Sequence, residues 1–232
     1  MPEPDGRAGI EIRVPLSTLL GLDERPGEIP GWAPCCPPPA RAAVACQRRA
    51  GWRFAICDPE GYLILAGLTR RPRCSRPDDV LHSRGGVVEL QISATMLAEL
   101  AGAATGGGVI GGIVDDWAPV IADLATQYAH RDELLRALTD HPHARFPHAA
   151  LRRHLEIRDR TCVHPGCRRS ATRAEQDHTV GHAVGGPTVP GNLGPLPRPS
   201  LAQAQGRMAG RPARSRPLPH PQPAGAHLPH PR

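Results

Sequence analysis

The chain of 232 residues contains no lysine, so all 28 of the residues counted as Lys or Arg are arginines. A phosphate-binding loop ending in Lys-Ser/Thr, a Schiff-base lysine and a lysine-dependent kinase site are therefore excluded. Aromatic residues are also scarce, at 3%, so a core has to be built from Leu, Ile, Val and Ala. No uninterrupted apolar run is long enough to span a bilayer, and Met1 to Arg7 shows no charged-then-apolar secretory pattern. A soluble cytoplasmic protein with no membrane partner is expected. The seven cysteines are odd in number and follow no regular framework, which argues against a disulfide-stapled secreted domain and leaves isolated thiols plus one metal site.

Turn chemistry, by contrast, is abundant. With 28 Pro and 25 Gly, much of the chain is expected to be turn, loop or linker. The formal net charge of +6 and a pI near 9.3 hint at nucleic acid, but the charge is unevenly placed. All 22 acids lie at or before Asp177, together with 22 of the arginines, so that portion is formally neutral. Arg198, Arg207, Arg211, Arg214, Arg216 and Arg232 supply the whole excess.

Ile10, Ile12 and Val14 alternate with Glu11 and Arg13, which predicts a short strand with one buried face. Cys35-Cys36-Pro37-Pro38-Pro39 precedes an Ala- and Arg-rich stretch, Ala40 to Ala50, that reads as a short helix. Trp52, Phe54 and Ile56 alternate, Asp58-Pro59-Glu60-Gly61 is turn chemistry, and Tyr62 to Leu65 completes a predicted hairpin. Arg70 to Asp79 reads as an exposed loop, Val88, Leu90 and Ile92 as a strand, and Thr95 to Ala101 as a helical turn. Gly102 to Gly112 predicts a flexible linker rather than a phosphate cradle, because no lysine and no clear preceding strand accompany it. Helical spacing from Asp115 to Thr139 predicts one or two helices, and another opens at Pro147, with Leu151 and Leu155 inside and Arg152, Arg153 and Arg158 outside.

Chemistry concentrates after that helix. Cys162 and Cys167 flank Pro165-Gly166, a spacing that can aim two thiolates at one tetrahedral ion; two free thiols in a turn is the competing reading. Asp177 beside His178, followed by Gly185-Gly186 and Asn192, supplies what metal-assisted phosphodiester hydrolysis needs. The imidazole can take a proton from water, the carboxylate can hold a hard divalent cation, and the amide can fix geometry. Taken singly, a histidine such as His178 is more often a surface or capping residue than a general base. His182 completes a His-x3-His spacing, but the glycines around it disfavour a helix, so it is expected to be solvated.

The blocks F-P-H-A-A-L-R-R-H, R-D-R-T-C-V-H-P-G-C-R-R, E-Q-D-H-T, G-G-P-T and N-L-G-P-L, ordered from Phe146 to Leu196, resemble the C-terminal HNH (ββα-metal) nuclease module of an actinobacterial family in which a domain of unknown function precedes that module. Ile10 to Arg71 resembles the end of the preceding domain. The resemblance implies an endonuclease that hydrolyses DNA. His178 would be its general base, Asn192 the middle asparagine, Asp177 a ligand of a catalytic Mg²⁺ or Mn²⁺, and Cys162 and Cys167 half of a structural Zn²⁺ site.

After N-L-G-P-L the family continues with a cysteine, a His-His pair, a Lys-His and a Gly-Gly-Trp, whereas this chain reads P-R-P-S-L-A-Q-A-Q-G-R-M-A. Leu196 to Ala209, back-translated with permitted codons and read one base on, yields the family's ending. Most of those positions depend on codon choice, but Met208-Ala209 forces TGG, a tryptophan. The expectation is a coding sequence frameshifted near Leu196, with a disordered Pro/Arg/His-rich tail whose alternative reading is a basic or histidine-rich arm. The copy is expected to be weakly active or inactive, and the competing reading is a non-catalytic remnant that binds DNA or protein. The expected architecture is α+β. It comprises a small mixed domain over 1–101, a glycine linker over 102–112, a helical connector over 113–145, an incomplete ββα module over 146–196 and the tail over 197–232.

Overall fold

Alternating apolar residues give strands that bury one row of side chains on a common layer, and here three such strands lie abreast. A computed structural model describes residues 9–32, 34–47, 49–73, 85–105 and 113–196. In chain order its elements begin with β1 (Glu11–Pro15), the single turn α1 (Leu16–Leu19), β2 (Gly27–Glu28), β3 (Pro34–Cys35) and α2 (Pro37–Cys46). They continue with β4 (Gly51–Cys57), β5 (Leu63–Leu68), β6 (Val87–Ser93), α3 (Ala94–Thr105), α4 (Ile113–Ala129), α5 (Arg131–Ala137), α6 (Ala149–Asp159), β7 (Glu175–His178) and β8 (Leu193–Leu196).

The first six strands form one mixed sheet in the order β3-β2-β1-β6-β4-β5. β6 runs parallel to both β1 and β4, and its register sets Val88 between Ile12 and Trp52, and Leu90 between Val14 and Phe54. These residues and Ile92 form the main core with Val44 of α2, Leu97 and Leu100 of α3, and Trp117, Val120, Ile121 and Leu124 of α4. The predicted hairpin is β4–β5, paired antiparallel around the Asp58–Gly61 turn.

Several expectations change. The first helix starts at Pro37 rather than Ala40, because prolines in a first turn lose no hydrogen bond and arrive with helical φ. The predicted turn at Thr95 is a helix of 12 residues that runs through Gly102 to Thr105, into the expected linker; 106–112 lie outside the described residues. α4 shares the main core with the sheet, so the first part of the expected connector is one of the layers of this domain. Cys74 to Asp79 and the tail from residue 197 also lie outside the described residues.

The strand alternation predicts one buried face, and the second face is buried at its centre as well. Arg13, Glu89 and Arg53 sit side by side on β1, β6 and β4 and are only 2%, 0% and 4% exposed. α6 covers part of this face through Ile157, packed on Ala55 and Cys57. Leu151 and Leu155 of the same helix pack on Leu193 of β8 and on Leu138. α6 therefore joins the sheet to the C-terminal hairpin of β7 and β8. Arg158, expected outside, is 7% exposed. It ion-pairs with Asp159 at 2.7 Å and donates to the carbonyls of Pro190 and Leu193, a set of partners that makes a buried guanidinium affordable.

Candidate functional site

β7 and β8 pair antiparallel, with His178 opposite Leu193 and Asp177 opposite Gly194. The loop joining them returns over the strand ends, and Asn192 shapes it. Its Oδ1 accepts from the Val180 N–H at 2.8 Å, and its Nδ2 donates to the carbonyls of Val180 at 3.0 Å and Pro187 at 2.9 Å. The amide of a side chain only 8% exposed is thus spent on holding residues 180–187 against β8. Gly186 is required by that fold-back, since a Cβ there would fall on the Val180 carbonyl oxygen.

His178 and Asp177 are half-buried at the end of β7. The imidazole Nε2 lies 2.8 Å from Thr188 Oγ1, and that hydroxyl donates its single hydrogen to the Ala144 carbonyl. The oxygen must then accept from His178, so Nε2 carries the proton and Nδ1 keeps the basic lone pair. Burial holds the His178 pKa below its ordinary value, the neighbouring His182 adds to this, and Asp177 opposes it. The ring is consequently neutral at neutral pH, the form a general base needs. Asp177 Oδ1 accepts the backbone N–H of His178 at 2.9 Å.

Thr188 had no role in the sequence reading beyond its membership of the G-G-P-T block. It is 2% exposed, and its N–H donates to Pro142 at 2.7 Å, so it ties the hairpin loop to the chain before α6. His182 is exposed as expected, yet its ring centroid is 5.5 Å from that of His178. Only the His-x3-His spacing could have signalled this.

Cys162 and Cys167 occupy a knuckle closed by a bridge between Thr161 and Ser170 and by the Cys162 N–H donated to Arg169 at 2.9 Å. Gly166 turns it at a φ of +80°, a conformation open to glycine. The knuckle docks on β8 through the Val163 N–H, which donates to Pro195 at 3.0 Å. The thiols form no disulfide. Among the described residues no three metal-ligating side chains gather at one point. Two thiolates do not close a tetrahedral zinc site, and Asp177 alone does not fix a divalent cation, so the residues in place fit neither ion fully. Compared with protein-family models, curated proteins and solved structures, the chain matches none.

Proposed function

We propose that residues 146–196 are the HNH module of a metal-dependent endonuclease acting on DNA phosphodiesters, in a copy whose metal sites are incomplete. The observation that carries this reading is the state of His178, a neutral imidazole whose Nε2 is tied to Thr188 and whose Nδ1 is left basic, beside Asp177 and above a loop held by Asn192. In the reaction His178 takes the proton of the attacking water, while Asn192 keeps the loop closed over β7 and β8. The ligands that the family places after its N-L-G-P-L block are missing here, which accords with the reading-frame displacement near Leu196 and predicts weak or no cleavage. Nicking of supercoiled plasmid in Mg²⁺ or Mn²⁺ by the chain and by its His178→Ala variant tests this reading. Any residual nicking is expected to vanish in the variant, and equal nicking by both removes His178 from the mechanism.

The second reading is a non-catalytic remnant that binds DNA or protein. It is favoured by the lack of any three-ligand cluster among the described residues. The complete absence of cleavage, joined to binding that His178→Ala leaves unchanged, is its signature.

A further inference from the structure

A cavity of about 640 Å³ lies between the β1–β2 side of the sheet and the cysteine knuckle, a volume suited to a small-molecule ligand. The sheet side contributes Glu11, Arg13 and Glu28, which are already committed to one another: Arg13 contacts Glu11 at 3.0 Å and Glu28 at 3.2 Å. The charged groups contributed by the knuckle side are all cations, Arg160, Arg168, Arg169 and Arg173, beside the hydroxyls of Thr161, Ser170 and Thr172. Glu28 also serves Arg160 at 2.7 Å, and Glu11 also serves Arg53 at 2.7 Å. The acids are thus used more than once, and among the described residues Arg168, Arg169 and Arg173 have no ion pair. These three side chains are exposed.

Arg160 gives an independent sign that the charge is under-compensated. It is 8% exposed, yet its Nε and Nη2 have no hydrogen-bond partner, and Nη2 sits 3.5 Å from Glu89 without a bond. Its backbone is held at φ +58°, a region a non-glycine residue adopts only when its surroundings enforce it. On the opposite rim, the turn in which Trp32 donates its N–H to Ile29 presents the Trp32 indole at 81% exposure. The other two tryptophans, Trp52 and Trp117, are 4% and 8% exposed and belong to the core.

We infer that this cleft binds a nucleotide, with its phosphate on Arg168, Arg169 and Arg173 over Arg160 and its base stacked on Trp32. Guanidinium forks match phosphate oxygens in pairs, and an exposed indole beside such a cluster is the platform on which bases stack. The nucleotide is either free or one unit of a single strand. Arg173 precedes His178 by five residues, a chain length that spans at most about 17 Å, or about five nucleotide steps at 3.4 Å each. A strand anchored in the cleft can therefore reach the hairpin. The inference concerns binding alone and stands whether or not His178 supports cleavage.

The test uses the full chain in EDTA, with fluorescein-labelled oligothymidylate, thymidine 5′-monophosphate and inorganic phosphate as separate titrants. Indole quenching and fluorescence anisotropy are the readouts. Oligothymidylate is expected to quench the accessible indole emission. Trp32→Ala and the double variant Arg168→Ala/Arg169→Ala each lose about tenfold or more in affinity, while Arg70→Ala/Arg152→Ala, which removes two exposed charges elsewhere, loses less than about twofold. Monophosphate binding that competes with the strand and needs Trp32 assigns the site to free nucleotides, whereas strand-only binding assigns it to nucleic acid. Equal losses in the two arginine pairs, oligothymidylate and monophosphate binding indifferent to Trp32, or no quenching by either nucleotide overturns the inference. All the substituted side chains are largely exposed, so loss of fold does not explain a lost signal; unchanged thermal unfolding checks this.

Discussion

Glu89 is the residue on which the second sheet face depends. It is fully buried among Arg13, Arg53 and Arg160, with Arg53 at 2.8 Å. Burial pushes its carboxyl up, but the guanidiniums of Arg53, Arg13 and Arg160 outweigh this and hold it below the ordinary carboxylate range. Removing one partner of a buried charge set leaves the others uncompensated. Glu89→Gln should therefore lose about 3–5 kcal/mol of unfolding free energy in a urea titration; a loss below about 1 kcal/mol would mean that Glu11 and Glu28 suffice. Because the folded pKa is depressed, the stabilisation from Glu89 is present above the unfolded carboxylate range and disappears only as pH falls through the folded value. His154 acts in a higher window. Burial, with help from Arg158, pushes its pKa down from 6.5 to about 4, so below 6.5 the unfolded chain takes up a proton that the folded chain refuses. Stability should fall between pH 6.5 and about 4, by up to about 3 kcal/mol. His154→Gln should flatten most of that slope. An unchanged slope in the variant would show that His154 is not its source.

Among the elements, α6 decides whether the C-terminal hairpin is part of the molecule, since one helix places Ile157 on the sheet and Leu151 and Leu155 on β8. Arg158 fastens the far end by donating to Pro190 at 2.5 Å and Leu193 at 2.9 Å while pairing with Asp159. Arg158→Ala strands a buried carboxylate and two carbonyls, and a loss of about 3–5 kcal/mol is expected. The loss should be accompanied by faster amide exchange in 193–196 than in β4 or β6, the measurement that separates local release of the hairpin from global unfolding. The apolar periods that place Leu151 and Leu155 inward were legible in the sequence, as were β1, the β4–β5 hairpin, β6 and the pair of helices after residue 112. Arg158 was not, because a charged residue in a helix reads as solvated unless its partners, here carbonyls more than 30 residues away, are known. The same holds for Arg13 and Arg53, since strand alternation marks a polar face without saying what covers it. At the candidate site the sequence indicated His178, Asp177 and Asn192, but not that the Asn192 amide would clamp the loop over 180–187. It was silent on Thr188, whose role depends on the Ala144 carbonyl 44 residues earlier.

For the whole molecule the question is what completes the knuckle. The described chain is a sheet with helices on one face, a charge network on the other, and a hairpin docked beneath α6 against whose β8 strand the knuckle of Cys162 and Cys167 rests. A structural zinc ion needs four ligands in tetrahedral array, and binding it contributes directly to folding. If the reading frame is displaced near Leu196, restoring it adds the cysteine and histidines that two thiolates lack. The polypeptide as written should hold little zinc and unfold at the same temperature with and without a chelator. The frame-restored chain should carry about one zinc per molecule and lose several degrees of melting temperature on chelation. Both readouts come from the same two preparations, metal analysis and thermal unfolding with EDTA. Stoichiometric zinc in the chain as written would sink the frame hypothesis, because the ligands would then have to come from residues already present. Zinc restored together with plasmid nicking, both lost in Cys162→Ser, would tie the knuckle to the activity of His178 through the β8 strand against which each is held.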